Sequence, residues 1–404
     1  MTPGDGATDA ALTTEPPRLL TLPFLALGVA SLAFFTAGGL VLPVAPRFAK
    51  FALDADAVGV GVAIGAFSIA ALLLRPFVGW SSDRFGRKPL LVAGTLLTIA
   101  ALALHLAASD IVVFIVARCL LGAGEGFFLV ASLAAASDIA PESRRGEAIS
   151  FFTLTLYVGL AIGPPVAEIV YAAGSYQAVW LAALVVAAAA AILTLLVPES
   201  APSRGAADGT TSRSRLIHPA GLFPGLVILL GLFGMAGFLT FLPLYTPSVG
   251  VQGAAVPLAI YAVIVVILRI VGATWPDRFG AARLSGAAFA MSAAGLATIG
   301  LVATPVGLLV GTVVFAIGVA FTMPAILSLA VSRVPPGERG SVVGTTTVFL
   351  DVVFGFAPVI LGAIADAAGY GATFLVSAVL AALASALLVA RRGAIVRPIA
   401  VANR

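Results

Sequence analysis

Apolar residues in this chain come in long unbroken runs separated by short polar, Gly- and Pro-rich breaks. The runs fall at about 19–45, 57–80, 89–108, 111–135, 147–172 and 176–197, then at 219–246, 254–276, 284–303, 306–332, 341–367 and 371–391. A membrane-spanning helix takes about 20 apolar residues. Barrel strands instead alternate over ~10 residues. The pattern therefore predicts an all-α integral membrane protein with twelve transmembrane helices. The longest polar interior stretch, 198–218, is rich in Pro, Ser, Gly and charge and reads as a linker. It splits the chain into a six-helix bundle at 19–197 and another at 219–391, with polar tails at 1–18 and 392–404. The first tail holds a single cation, Arg18, so it lacks the basic start of a signal peptide, and the run after it is too long for one.

Composition agrees. Of 404 residues, 61% are apolar and 10% charged, and mean hydropathy is +1.13. Soluble domains run at roughly 45–50% apolar and about 25% charged, so a soluble enzyme is excluded. The single cysteine, Cys119, forbids an intrachain disulfide, and His105 and His218 show no metal-ligand spacing.

The net charge of +4 reports topology. With the N-terminus inside, seventeen Lys and Arg residues face the cytoplasm, from Arg18, Arg84, Arg87 and Lys88 through Arg391 to Arg404. The outer loops hold two, Arg47 and Lys50, and Arg75, Arg118 and Arg269 lie within helices. Both termini and the linker are therefore expected in the cytoplasm, with the chain in the cell membrane.

The halves repeat each other. At an offset of 194, Arg75 falls on Arg269, Asp83-Arg84-Phe85-Gly86 on Asp277-Arg278-Phe279-Gly280, Arg145-Gly146 on Arg339-Gly340, and Pro164 on Pro358. An even number of helices per copy makes the repeat parallel, about an axis normal to the membrane, with a central site between the halves.

Specific motifs sit on this frame. Gly79-Trp80-Ser81-Ser82-Asp83-Arg84-Phe85-Gly86-Arg87-Lys88 resembles the loop 2–3 signature of the major facilitator superfamily. Arg118, Gly122 and Gly124 resemble the helix 4 signature of its proton-coupled drug exporters. Gly159, Gly163 and Pro164 are similar to the helix 5 antiporter signature, although Ala167 and Glu168 replace glycines expected further on. The second loop signature is degraded, with Ala281 and Ala282 where the first copy has Arg87 and Lys88. The resemblance implies the major facilitator fold of two pseudo-symmetric six-helix bundles. It also implies a cytoplasmic latch, in which Asp83 meets the N-terminal dipole of the eleventh helix near Gly340. Gly159 and Gly163 fit either an outer seal or plain helix packing.

Charges inside spans are functional candidates. Glu125 shares a helix face with Arg118 seven residues earlier. Asp351 stands near the midplane where the first copy has Tyr157. Glu168 lies near the outer edge at a depth Arg118 could reach, and Arg75 and Arg269 are expected to snorkel toward the interface. Desolvation favours a neutral carboxyl and a nearby Arg favours the anion, so an acid that moves relative to Arg can bind and release a proton. Glu125, Asp351, Arg118 and Glu168 are the coupling candidates. Phe34, Phe35, Phe127, Phe128, Phe238, Phe241 and Phe354 recur near helix centres, as packing residues or as lining for an apolar cavity.

These observations predict a proton-coupled exporter of an amphipathic small molecule such as a drug, metabolite or siderophore. No enzymatic constellation, nucleotide motif, cofactor or metal is expected; the proton gradient supplies the energy. Expected partners are the substrate, protons and the bilayer, with no nucleic acid and the chain acting as a monomer. A proton-coupled uptake symporter and a non-transporting membrane sensor remain as alternatives.

Overall fold

The structure, a computed structural model, describes residues 19–141, 144–200, 217–272, 274–332, 334–335 and 338–391. The side chains of Pro76, Gly79, Asp83, Gly146 and Asp277 also lie outside the described residues. So do both polar tails, most of the linker, and with Asp83 the expected latch contact.

Among the described residues the chain is helical without strands. The first half comprises α1 (Leu22–Val41), α2 (Val44–Arg47), α3 (Ala57–Phe85), α4 (Arg87–Ala107), α5 (Ile111–Ile139), α6 (Arg145–Ala173) and α7 (Tyr176–Leu195). The second comprises α8 (Pro219–Gly231), α9 (Phe233–Tyr245), α10 (Ala255–Val271), α11 (Trp275–Phe279), α12 (Ala281–Leu301), α13 (Pro305–Val331), α14 (Arg339–Ala368) and α15 (Tyr370–Ala390). Eleven stretches are long and apolar enough to cross a membrane, and the 17-residue α10 is the short twelfth. At 1.5 Å per residue α10 rises about 25 Å.

Helix starts follow local chemistry. Asp56, Asp110, Ser175 and Thr304 cap α3, α5, α7 and α13 by accepting from backbone N–H groups of the first turn. Gly86 (φ +91°) and Gly280 (φ +82°) make the tight turns from α3 to α4 and from α11 to α12, a left-handed region that other residues rarely adopt.

Three expected spans are interrupted. The first does not end in a plain loop: past Leu42 the chain continues through α2 into a wide turn of π-helix at Phe48–Ala52. The seventh breaks at Leu232 between α8 and α9. The eighth, expected at 254–276, ends at Val271, and Pro276 starts the separate α11.

Helices meet the linker end of the molecule (near residues 86, 197 and 280) or the far end (near residues 56, 174 and 369). Within the first half, α1 packs on α6 and α7, and α5 on α3 and α4. Within the second, α12 packs on α13 and α15, and α14 on α8. Two long pairs join the halves, α3 with α14 and α6 with α10. The 194-residue repeat exchanges one pair for the other. Apolar area gives little drive between helices in lipid, so close backbone approach must supply it. Along α3 and α14 the chain provides this with Gly61 against the Pro358 backbone, Gly65 against Gly355, and Gly362 against Ala57.

Phe34, Phe35, Phe128, Phe238 and Phe241 are buried. Phe34 stacks on Phe128 at 3.9 Å, and Phe238 packs on Phe315 at 5.0 Å. These five are core residues; Phe127 and Phe354 are half-buried.

Candidate functional site at the interface of the halves

The α3–α14 contact ends in an ion pair midway through the molecule. Arg75 Nη2 lies 2.8 Å from Asp351 Oδ2 and donates to Oδ1 at 3.0 Å. Arg75 therefore does not snorkel to the interface; a carboxylate from the opposite half holds it. The side chains are 34% and 14% exposed, so the pair is partly accessible, although Asp351 Oδ2 itself is buried.

The repeat places Arg269 and Tyr157 at the equivalent positions, and they too meet across the halves. The Arg269 guanidinium lies 4.0 Å from the Tyr157 ring centroid. It also stays at the interface rather than turning outward, and its Nε is buried without a hydrogen-bond partner. Tyr261 of α10 is within its electrostatic range.

Glu125, half-buried on α5, lies within electrostatic range of Asp351, Arg118 and Arg75. No hydrogen bond or ion pair to its carboxylate occurs among the described residues. Arg118 is 3% exposed, donates from Nε to Ala63 O at 3.3 Å, and lies 5.0 Å from the Phe67 ring. It thus ties α5 to α3.

Glu168 is not brought to Arg118. Its Oε2 accepts from Arg47 Nη1 at 2.9 Å, in a pair that is 8% and 6% exposed. The depth expected for Glu168 was suitable for Arg118, but its face of α6 turns toward α2. Arg47 Nε also donates to Pro243 O of the second half at 3.5 Å, and its guanidinium lies 5.5 Å from the Tyr171 ring. A Cβ built on Gly253 would sit 3.3 Å from Glu168 Oε2. A second tie joins the halves at this far end: Asp366, on the last turns of α14, accepts from Ala57 N at 2.9 Å and Val58 N at 3.0 Å. Its carboxylate meets the positive end of the α3 dipole.

Toward the linker end, Gly340 and Gly344 of α14 are exposed. A Cβ added at Gly340 or Gly344 of α14 would meet nothing within 4 Å. On α3, Phe77 and Trp80 are exposed, and exposed Arg84 lies over the rings of Trp80 and Phe85. The loop motif is tied instead within its own half. Arg87 donates to Asp138 Oδ2 at 3.1 Å and to Ser82 O and Oγ at 2.7 Å. Glu199 Oε1 accepts from the backbone N of Arg87 at 2.8 Å and of Lys88 at 3.4 Å, and Lys88 Nζ donates to Leu195 O at 2.7 Å. Sequence reasoning missed Asp138 and Glu199, but the repeat carried a signal: their equivalents are Ser332 and Gly393, lost together with Arg87, whose equivalent is Ala281. In the degraded copy Arg278 and Gly280 are exposed, and a Cβ on Gly280 would meet nothing within 4 Å.

The glycines of the helix 4 and helix 5 motifs pack backbones. Gly122 meets the Phe67 backbone, and Gly124 meets Gly94 and Thr98. Gly159 and Gly163 meet α1 at Leu32–Thr36 and Gly39–Leu40, inside the first half. Pro164 continues within α6.

The site is thus a set of charges where two pseudo-equivalent bundles meet, tied across the halves at the far end by Arg47 and Asp366. The Major Facilitator Superfamily model matches residues 27–358 and 254–400. An uncharacterized MFS-type transporter of Burkholderia pseudomallei (strain 1106a) is 30% identical over 357 residues, covering 86% of this chain and 87% of the relative. Another from Salmonella typhimurium (strain LT2) is 26% identical over 362 residues, covering 87% and 91%. Among solved structures, the inward-facing, unoccupied bacterial homologue of the human lysosomal transporter Spinster superposes with TM-score 0.77 at 14% identity, covering 94% and 98%. The human organic anion transporter MFSD10 superposes with TM-score 0.69 at 19% identity, covering 93% and 100%. A family match spanning both bundles, on a fold with the same two-bundle build, makes this chain a membrane transporter of the major facilitator superfamily.

Proposed function

We propose that the chain is a proton-coupled exporter that moves an amphipathic small molecule outward by alternating access, as a monomer in the cell membrane. The observation that carries this reading is the Arg75–Asp351 pair, a partly accessible ion pair joining the two halves with Glu125 in electrostatic range. A proton on Asp351 removes the charge that holds Arg75, and so loosens α3 from α14. Glu125, unpaired among the described residues, is the second acid able to take a proton. The orientation rests on the seventeen-to-two distribution of Lys and Arg, which puts the linker end in the cytoplasm.

The helix pair α3–α14 supplies the rocking element. Asp366 closes its far end on the α3 N-terminus. Asp83, at the other end of α3, faces the N-terminal dipole of α14 when the cytoplasmic side closes. Each carboxylate then holds one of the two states.

Proton-coupled uptake is the second reading, favoured by the same pair. Protonating Asp351 frees a guanidinium that can accept a negative group, which would send proton and cargo the same way. Reconstituted protein decides between them. Under an imposed pH gradient, export predicts that cargo efflux alkalinises the compartment receiving the cargo, whereas symport predicts acidification. Glu125→Gln and Asp351→Asn should each abolish gradient-driven flux while leaving cargo binding measurable. Wild-type gradient-driven flux in the double variant would rule out proton coupling through either acid.

A further inference from the structure

The charges within the spans do not balance. Arg47 and Glu168 neutralise each other at the far end. Further in stand three guanidiniums, Arg75, Arg118 and Arg269, against two carboxylates, Glu125 and Asp351. Asp351 is taken by Arg75. Glu125 lies in the range of Arg118 and Arg75. Arg269 has no carboxylate: among the described residues its contact is the Tyr157 ring, and its Nε is buried without a partner. Arg269 stands in the last turn of α10, whose C-terminal dipole offers it only a partial counter-charge, and ionisable groups within spans mark substrate and ion pathways.

The repeat gives this arginine a reference. Its equivalent, Arg75, has a carboxylate from the opposite half; Arg269 meets Tyr157 at the position where that carboxylate would stand. The ring face attracts the cation while accepting no hydrogen bond in its plane, so the donors of the guanidinium fork remain to be filled. A planar fork of donors matches the oxygens of a carboxylate, sulfonate or phosphate. We infer that the transported molecule carries an anionic group, which Arg269 binds as the counter-charge that the second copy of the repeat lacks, with the Tyr157 ring beneath it.

This inference rests on the chain being a transporter and is independent of the direction of transport. Binding needs no gradient, so it is read apart from proton coupling. Purified protein in detergent is titrated with matched amphipathic acids, neutral esters and amines, one set being naphthalene-1-acetate, its methyl ester and naphthalene-1-ethylamine. Thermal unfolding reports binding. The expected result is stabilisation by acids and not by their esters or amines. Arg269→Gln should weaken acid binding roughly 10- to 100-fold, the range of a charge-assisted hydrogen bond, and Arg269→Lys should restore part of it. Tyr157→Asp keeps the arginine but supplies the missing carboxylate, and should also abolish acid binding. Stabilisation by amines or esters in preference to acids, absence of stabilisation by any acid, or undiminished acid binding in Arg269→Gln or Tyr157→Asp would overturn the inference. Wild-type gradient-driven flux in the Glu125→Gln and Asp351→Asn double variant, with intact acid binding, would instead count against the proton-coupling reading alone.

Discussion

Arg75 and Asp351 face each other at 2.8 Å across the two halves, and the residues 194 positions on from Arg75 and back from Asp351, Arg269 and Tyr157, face each other as well. The fold thus presents one contact twice, first as an ion pair and then as a cation on a ring. This makes the first contact testable against the second.

Arg75→Gln or Asp351→Asn alone should destabilise the protein by about 1–3 kcal/mol. That is below the ~3–5 kcal/mol of a fully buried pair, because both side chains are partly accessible. The double variant should cost less than the sum, with a coupling of at least ~0.5 kcal/mol. Thermal or denaturant unfolding of the four proteins gives the cycle, and strict additivity would show that the pair contributes no coupling.

Opposite carboxylates on α3 and α14 should have opposite effects. A carboxylate at a helix N-terminus is worth ~0.3–1 kcal/mol, roughly a two- to fivefold change in the ratio of states. In a Cys119→Ser background, Asp366→Asn should raise thiol labelling of Thr246→Cys, buried at the far end. Asp83→Asn should instead raise labelling of Gly344→Cys at the linker end. Each variant should lower labelling at the other reporter, and a change of the same sign at both reporters in either single variant would refute the two-latch arrangement.

Glu168→Gln leaves the Arg47 guanidinium buried without its counter-ion, which should cost ~3–5 kcal/mol of stability. Replacing both partners, Arg47→Met with Glu168→Leu, should cost much less. Because Glu168 serves the far-end closure, the single variant should slow transport yet keep its dependence on the pH gradient. A flux assay with and without the gradient separates the two effects.

Gly163→Val should destabilise by at least ~1–3 kcal/mol, since the new side chain enters the backbone of Gly39 on α1. Gly340→Ala, with open space around it, should change stability by under ~0.5 kcal/mol. Equal effects in the unfolding assay would contradict the α1–α6 packing.

How far the sequence reached is clear from particular residues. Run length pointed to the eleven stretches long and apolar enough to cross a membrane among the described residues, and the repeat identified Tyr157 as the equivalent of Asp351. They did not disclose that Arg75 pairs with Asp351, 276 positions away. That contact depends on how α3 and α14 cross, which no local period encodes. Depth counting placed Glu168 level with Arg118, but depth leaves the direction around the helix axis open, and Arg47 stands on the side Glu168 takes. The break after Val271 did carry a local signal that the span at 254–276 ran past: Gly272 and Pro276 both disfavour a continuous helix, and Trp275 beyond it stacks on Phe321 at 5.0 Å.

That break has a consequence for how a molecule enters. On the first half, α3 runs unbroken to Phe85, and Arg87, Asp138 and Glu199 clamp the turn beyond it. On the second, α10 stops at Val271, a five-residue helix follows, and the equivalents of those clamping residues are Ala281, Ser332 and Gly393. The linker end is therefore clamped on the first half, while the residues equivalent to the clamp on the second half cannot form the same contacts. On the proposed reading, any widening for a bulky cargo is expected on the α10–α11 side, where movement would leave the clamp seated, and that side carries Arg269.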